Sequence, residues 1–344
     1  MLTRRKFLKA VSWGAAGLAA AGALPAAAFG DEPVTGHGIA PEGADSAERS
    51  CVVVARSGRL LQESRRIDPA VCREVVRRSV CALTGDNDAR EAWRSLFIPD
   101  DVVGIKVNCI GKAALSSQVA LVETIVDGLA SIGVTRVIVW DRMDEELEAA
   151  GFPIRTSGGP YLCYGTNHRG VGYSPALLFA GEIGSLFSRI LTEHCSAVIN
   201  VPVLKDHDLA GVTIAMKNNF GAIHNPNKYH FDPLHRALAD LNSMSLIRSK
   251  TRLVVCDASR VVYNGGPAFK PQWTDWYGGI LMSRDPVAMD ATGWRIIEQL
   301  RKQKGLPTLQ EAGRPPRYIE LAAAEPYRLG RAREDEIERV EIQL

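Results

Sequence analysis

The chain has 344 residues, of which 46% are hydrophobic and 23% are charged, a balance that is typical of globular proteins. Its length allows one large α/β domain or two smaller ones. Its 41 lysine and arginine residues against 39 aspartate and glutamate residues give a net charge of +2. This near balance excludes the basic excess that binding to nucleic acids or to anionic membranes requires.

The first 28 residues have the layout of a cleavable export signal. Arg4-Arg5-Lys6 is followed by Phe-Leu-Lys, then by an apolar stretch over residues 10–23 and by Pro-Ala-Ala-Ala at residues 25–28. This order of charged, apolar and small residues is typical of secretory signals, and the paired arginines are typical of the twin-arginine variant. Three glycines interrupt the apolar stretch, which is shorter than the ~20 residues of a spanning helix, so cleavage after Ala28 is favoured over a retained anchor.

Cleavage removes four basic residues and no acidic one, which leaves 37 basic against 39 acidic residues and a net charge of −2. Residues 29–49 are rich in Gly, Pro, Asp, Glu and Ser, which predicts a flexible leader before an α/β domain at residues 50–344. No other apolar run approaches spanning length. We therefore expect a periplasmic protein that the twin-arginine translocase exports, with no stable membrane span and no nucleic-acid partner.

The spacing of the seven cysteines indicates that they do not bind a metal cluster. None of them is spaced as Cys-x-x-Cys, so we expect no cysteine-ligated iron–sulfur cluster and no zinc ribbon. A chain that folds before export does so in a reducing compartment, where most cysteines serve as small buried apolar groups.

From residue 50 onward, short β-branched runs alternate with helical stretches. Strands are expected at residues 51–55, 102–107, 136–140, 197–201, 253–256 and 279–282, with an edge strand at 339–344. Helices are expected at residues 69–83, 89–96, 117–132, 182–193, 233–246 and 286–302. The alternation predicts an α/β fold, a mostly parallel sheet with helices on both faces in Rossmann-like layers.

The most informative segment follows the strand at residues 197–201. A polar loop over residues 202–208 holds Lys205 and His207, and the block Lys217-Asn218-Asn219-Phe220-Gly221 comes shortly after it. In open α/β sheets, ligands bind beyond the carboxyl ends of the strands. We therefore expect these polar groups to contact a ligand, beside a glycine that permits close approach of the backbone.

Lys106 stands inside a predicted strand, just before Asn108. A buried ammonium group needs an anion or a hydrogen-bond partner. If Lys106, Lys205 and Lys217 converge, they form a cationic pocket that suits a carboxylate or a phosphate. The alternative is that Lys106 points outward from an edge strand and that the other two lysines are solvated.

Histidines cluster between residues 224 and 235. Histidines with a carboxylate are the preferred ligands of zinc, iron and copper, which predicts a metal site at His207, His224 and His230. The alternative is that these histidines make hydrogen bonds within loops, or transfer protons without a metal.

Two later elements belong to the same prediction. Gly265 and Gly266 form a turn that either wraps a ligand or reverses the chain. Asp285 precedes Pro286 as the N-cap of a helix, and either Asp285 or Asp290 could pair with a lysine of the pocket.

At these segments the chain resembles the DUF362 family, a domain of unknown function, over about residues 50–300. The resemblance is carried by Gly104-Ile-Lys-Val-Asn108, Asn200-Val-Pro-Val-Leu-Lys205, Lys217-Asn-Asn-Phe-Gly221, the turn from Asp257 to Pro267, and Asp285-Pro-Val-Ala-Met-Asp290. Many members look like α/β proteins fused to a cluster-binding ferredoxin segment, which implies redox chemistry and a redox partner. This chain lacks those cysteine repeats, so a cofactor would have to be held by histidine, carboxylate or lysine.

The predicted function is that of an exported, redox- or metal-linked enzyme that binds a small anionic substrate or cofactor. Lys205, His207 and Lys217 are the expected catalytic residues. Substrate binding is assigned to Lys106, Asn108, Asn218, Asn219, Gly265 and Gly266. The alternative is a periplasmic binding or accessory protein that recognises an anion or a metal without turnover. Nucleotide, hydrolase and zincin signatures are missing from the sequence.

Overall fold

A mixed sheet of eleven strands organises the part of the chain that the computed structural model describes, residues 49–344. The predicted signal, residues 1–28, and all but the last residue of the predicted leader lie outside the described residues. Within residues 49–344, no helix is long and apolar enough to cross a membrane.

Thirteen strands are present in the described residues. In chain order they are β1 (Ser50–Arg56), β2 (Val102–Lys106), β3 (Arg136–Trp140), β4 (Leu162–Cys163), β5 (Leu178–Ala180), β6 (Ile183–Ser185), β7 (Ala197–Asn200), β8 (Val203–His207), β9 (Gly211–Thr213), β10 (Thr251–Val262), β11 (Thr274–Asp275), β12 (Gly279–Ser283) and β13 (Ile337–Gln343). The main path of the sheet is β13-β1-β12-β10-β7-β2-β3-β4. Only β12 is antiparallel to its neighbours on this path of described strands.

Three strands pair with the sheet away from this path. The second half of the long strand β10 pairs with β8, which forms an antiparallel hairpin with β9. Strand β11 also pairs with β10, and β5 and β6 form a separate hairpin. Strand β8 therefore lies at the carboxyl end of β7, where it carries the polar residues that follow Pro202.

Helices cover both faces of the sheet. They are α1 (Pro69–Thr84), α2 (Ala89–Arg94), α3 (Val119–Ser131), α4 (Asp144–Ala150), α5 (Ala215–Asn218), α6 (Leu234–Ser243), α7 (Ser245–Lys250), α8 (Pro286–Gln303) and α9 (Tyr318–Ala323). Successive residues of β1 belong to different cores: Val52 and Val54 pack with α5 to α9, whereas Val53 and Ala55 pack with α1 to α4. This alternation follows from the two-residue period of a strand. The predicted α/β fold with a mostly parallel sheet between helices is confirmed.

Most of the predicted elements are observed within a few residues, including the edge strand β13 and the N-cap of α8. Asp285 Oδ1 accepts the N–H groups of Val287 at 2.7 Å and Ala288 at 2.9 Å. One predicted helix was wrong: residues 182–193 contain β6 and a π-helical turn, Ile190–His194. The reason is the reversal at Gly181, whose positive φ of 50° closes the hairpin between β5 and β6.

Three further boundaries differ from the prediction. The polar loop predicted at residues 202–208 is mostly strand β8, and the strand predicted at 253–256 extends over Thr251–Val262. The helix predicted at 233–246 ends at Ser243, and α7 begins at Ser245 after Met244, whose ψ of 132° is extended. In each case long-range strand pairing or a local change of backbone angle overrides the apolar pattern.

Candidate functional site

A cavity of about 140 Å³ lies at the carboxyl ends of β2 and β3, where the hairpin β8–β9 and helix α5 meet. Lys106, Lys205, Lys217, His207 and His230 all contribute to its lining, and we call it the lysine cavity. The structure thus brings together the three lysines and the imidazole that the sequence places in separate segments. Its position agrees with the rule that ligands bind beyond the carboxyl ends of strands.

The pleat of β8 decides which of its side chains reach the cavity. Lys205 and His207 face it, whereas Asp206 between them accepts hydrogen bonds from Arg314 Nη1 at 2.5 Å and from Gly266 N–H at 2.9 Å. Thr213, the cross-strand partner of Lys205 on β9, also lines the cavity. Lys205 and His207 lie on one face of β8 and Asp206 lies on the other, because side chains alternate along a strand. The site therefore depends on the strand conformation of β8.

Lys106 is neutralised by a carboxylate that the sequence reasoning missed. Its Nζ donates to Asp141 Oδ1 at 2.7 Å and to the carbonyl of Val107 at 2.7 Å, and both charged side chains are buried. Asp141 follows β3 as Asn108 follows β2, and this shared position after a strand was the available signal. Lys106 therefore holds the site together and carries no free charge for a ligand.

Lys205 and Lys217 are different, because neither of them forms an ion pair within residues 49–344. Lys205 is 1% exposed, and its Nζ donates to Asn108 Oδ1 at 2.9 Å. Burial lowers the pKa of Lys205 to about 8, although Asp141 acts in the opposite direction. Lys217 is 8% exposed, and burial followed by the charge of Lys205 lowers its pKa to about 7. The cavity thus holds two ammonium groups without a carboxylate of their own.

Hydrogen bonds show that His207 is neutral. Its Nδ1 accepts the N–H groups of Leu209 at 3.1 Å and Ala210 at 3.2 Å, which places the proton on Nε2. Nδ1 also lies 3.0 Å from Asp208 Oδ1, but the two amides occupy its lone pair, so this contact is no ion pair. Burial and then the charge of Lys217 lower the pKa of His207 to about 2. His207 therefore donates a hydrogen bond and does not take up a proton near neutral pH.

His230 is held in the opposite tautomer. Its Nδ1 donates to the carbonyl of Pro226 at 3.1 Å, and its Nε2 accepts from Lys217 Nζ at 3.0 Å. Burial and the charge of Lys217 lower its pKa. The rings of His230 and His207 stack with their centroids 5.9 Å apart. The two stacked imidazole rings are thus uncharged and line the cavity beside Lys205 and Lys217.

The predicted substrate amides and glycines have mainly structural partners. Asn218 accepts from Asn108 Nδ2 at 3.0 Å and donates to Asn200 Oδ1 at 2.8 Å. Asn219 does not line the cavity, because its amide donates to Asn242 Oδ1 at 2.7 Å. Gly265 and Gly266 also lie outside the lining, which Pro267 joins instead. Of this set, Asn108 and Asn218 are placed at the cavity and the other three are not.

Helix α5, which carries Lys217, is fixed at its start by Asp290. The carboxylate of Asp290 accepts the N–H groups of Ala215 at 2.7 Å and Met216 at 3.3 Å, and the hydroxyl of Tyr318 at 2.8 Å. Burial raises the pKa of Asp290 to about 7. Neither Asp290 nor Asp285 pairs with a cavity lysine, because both are used as acceptors for backbone N–H groups at helix starts.

The predicted three-histidine metal site is not formed. His224 is exposed and packs edge-on against Tyr173, outside the lining of the cavity. Among the described residues, no group of three or more His, Cys, Asp or Glu side chains is arranged to hold a metal ion. His224 instead donates its backbone N–H to the carbonyl of Leu186 at 2.9 Å, a long-range contact that spacing along the sequence does not reveal.

Comparison with known proteins gives a family and no activity. The family model described as "Domain of unknown function (DUF362)" matches residues 103–295, more than half of the chain. No curated protein matches this sequence. A crystal structure of a protein from Thermotoga maritima is similar at 10% sequence identity with a TM-score of 0.40. The match covers 70% of this chain and 60% of that one, so this chain spans less than two thirds of that protein's length.

Replacing Lys217 by methionine should stabilise the ligand-free protein at pH 6, because it removes a buried ammonium group. The pKa of Lys217 is lowered to about 7, so between this pH and about 10 the unfolded wild-type chain binds more protons than the folded one. Wild-type stability therefore rises with pH, and the advantage of the variant should shrink by up to about 1.4 kcal/mol per pH unit. Urea unfolding at a series of pH values measures this change.

The exposed Lys304 supplies the control, since Lys304→Met should leave the pH dependence of stability as in the wild type. An advantage of Lys217→Met that stays constant from pH 6 to pH 9 would show that Lys217 is not a buried, unpaired cation.

Proposed function

This chain belongs to the DUF362 family, and we propose that it is an exported enzyme that binds a small anionic substrate in the lysine cavity. One observation carries the proposal: Lys205 and Lys217 are buried at the same cavity, and neither has a carboxylate partner among the described residues. A buried ammonium group without an anion is costly, and a bound anion would relieve that cost.

The other charges at the cavity are already balanced. Lys106 is paired with Asp141, and Arg142 is paired with Glu146 at 2.7 Å. The excess positive charge therefore comes from Lys205 and Lys217 alone among the described lining residues. A carboxylate or phosphate group would accept hydrogen bonds from both ammonium groups. Such charge-assisted hydrogen bonds are the strongest type in proteins.

The neutral groups and the size of the cavity narrow the ligand. The His207 Nε2–H and the Thr213 hydroxyl are donors for further oxygens, and Thr213 Oγ1 is buried without a hydrogen-bond partner in the described residues. The volume of about 140 Å³ lies below the range of about 300–1,000 Å³ for drug-sized ligands. The ligand is therefore a small anion rather than a nucleotide.

Lys217 is the group that favours catalysis over binding alone. With a pKa of about 7, its ammonium and amine forms are both populated near neutral pH. Such a lysine attacks carbonyl carbons or transfers protons, whereas His207, with a pKa of about 2, stays neutral. The proton-transfer role expected for His207 is thus assigned to Lys217. The proposed function does not include the redox or metal chemistry expected from the sequence.

Oxalate should bind to the purified protein with an affinity that falls as the pH rises from 6 to 9. The cause is loss of the protons on Lys217 and Lys205, whose pKa values are about 7 and about 8. Lys205→Met and Lys217→Met should each weaken binding by about tenfold or more at pH 6, because each removes a charged hydrogen bond. Isothermal titration calorimetry gives the affinities, with Lys304→Met as the control. Unchanged affinity in both cavity variants would refute the shared anion site.

Lys217 should form an imine with glyoxylate, a small anionic aldehyde. Its Nζ bonds to the aldehyde carbon, the carbonyl oxygen leaves as water, and cyanoborohydride then reduces the imine to a stable secondary amine. Peptide mass spectrometry at pH 7 should find this adduct at Lys217 ahead of exposed lysines such as Lys304, with oxalate protecting it. If oxalate binds but Lys217 gives no adduct, the non-catalytic binding protein becomes the better account.

Export is proposed from the sequence of residues 1–28. Protein recovered from the periplasm should begin at Phe29, and a variant with Arg4→Lys and Arg5→Lys should remain in the cytoplasm. Lys6→Arg together with Lys9→Arg is the matched control, which keeps the arginine pair. Terminal-peptide mass spectrometry and cell fractionation measure the two results. Wild-type protein that stays cytoplasmic with residues 1–28 intact would contradict export.

A further inference from the structure

A second cavity, of about 410 Å³, lies beside the first turn of helix α3. The connection between β2 and α3 separates it from the lysine cavity. Asn108 and Ile110 of this connection line the lysine cavity, whereas Lys112, Ser116 and the start of α3 line the second one. We call the second one the α3 cavity. It shares no lining residue with the lysine cavity.

The α3 cavity is strongly cationic. Its lining contains four basic residues, Arg65, Arg66, Lys112 and Arg260, against one acidic residue, Glu123. In the part of the chain that the structure describes, none of the four forms an ion pair, and the Arg65 guanidinium lies 4.5 Å from the ring of Trp276. The lining therefore carries an excess of positive charge, and the buried Asp257, which lies outside the lining, is the nearby opposite charge that acts on Arg260.

Two of its buried polar groups also lack partners. Arg260 is 9% exposed, and its Nη1 donates to the carbonyl of Ala114 at 2.7 Å, but its Nε has no hydrogen-bond partner within residues 49–344. Ser116 is 4% exposed, and its Oγ is likewise unpartnered. Buried polar groups are normally satisfied, so these two atoms indicate a missing acceptor.

The start of α3 adds a third source of positive potential. The helix has thirteen residues, Val119–Ser131, and its N-cap residue, Gln118, makes no side-chain cap but donates its own N–H to Asp257 Oδ2 at 3.0 Å. The N–H of Leu121 donates to the carbonyl of Gln118 at 3.1 Å, whereas the N–H groups of Val119 and Ala120 have no acceptor within the helix, and the helix dipole favours an anion at this end. Val119 and Ala120 of this first turn line the cavity.

We propose that the α3 cavity binds a phosphoryl group, either of free phosphate or of a small phosphate monoester. A tetrahedral dianion accepts hydrogen bonds in several directions at once, and so matches a helix N-terminus, a guanidinium and an ammonium group that converge from different elements. A planar carboxylate has two oxygens and satisfies fewer of these donors. The site stands independently of the function proposed for the lysine cavity.

Isothermal titration at neutral pH, with inorganic phosphate, glycerol phosphate and acetate as probes, tests this site. The double variant Arg66→Met/Lys112→Met changes only exposed side chains, so it should fold, and it should weaken phosphate binding by about tenfold per removed cation. Arg90→Met/Lys304→Met removes two exposed cations elsewhere and should bind as the wild type. Lys217→Met, which alters the lysine cavity alone, should retain the phosphate binding that Arg66→Met/Lys112→Met loses.

Tighter binding of glycerol phosphate than of phosphate would identify a phosphorylated ligand, and equal binding would identify the free ion; both support the phosphoryl site. Three results would overturn it: no phosphate binding, acetate binding to Lys217→Met as tight as phosphate binding to the same variant, or loss of phosphate binding only in Lys217→Met. The last result would place the phosphate in the lysine cavity. Failure of oxalate to bind would contradict the proposed function of the lysine cavity and would leave the α3 cavity unaffected.

Discussion

The lysine cavity is governed by the cost of burying two like charges close together. Lys205 and Lys217 lie at one cavity with neutral partners, an asparagine oxygen and an imidazole nitrogen, and their pKa values fall to about 8 and about 7. The surrounding structure makes this arrangement persist. The pleat of β8 turns Lys205 inward, and the carboxylate of Asp290 fixes the start of the short helix that carries Lys217. Two such groups kept together without an anion of their own support the proposed anion site.

The pair of Lys106 and Asp141 provides the contrast within the same cavity. Here a buried ammonium group has a carboxylate at 2.7 Å, and the same carboxylate accepts the N–H of Cys109, which orders the connection after β2. A Cβ at Gly221 would lie 2.7 Å from Lys106 Nζ, so only glycine leaves room for the pair. One lysine of the cavity is thus structural and two are available to a ligand. The three lysines differ in role because their hydrogen-bond partners differ: Lys106 has a carboxylate, and the other two have neutral groups.

Local patterns along the chain predict the layers and much of the site, because strand and helix periods and helix caps are local properties. The position of polar residues just after strands also raised the meeting of Lys205 and Lys217 as one of two alternatives, and the structure has both lysines in the lining of one cavity. The pairing of Lys106 with Asp141 was missed, because it joins residues on two strands and has no local pattern. The predicted grouping of His224 with His207 and His230 was wrong for a similar reason: the direction of a side chain depends on packing, here against Tyr173. Strand β8 was missed as a strand because its polar residues face a cavity and a partly buried arginine, Arg314, rather than an apolar core.

The central claim is that Lys205 and Lys217 together form a positively charged anion site. Anomalous diffraction from a crystal soaked in bromide at pH 6 tests it most directly, since bromide binds wherever ammonium groups converge without a carboxylate. The account predicts a bromide ion within hydrogen-bond distance of both Nζ atoms, and a weaker peak at pH 9. Bromide found only on the surface, or two Nζ atoms directed toward separate carboxylates, would contradict it.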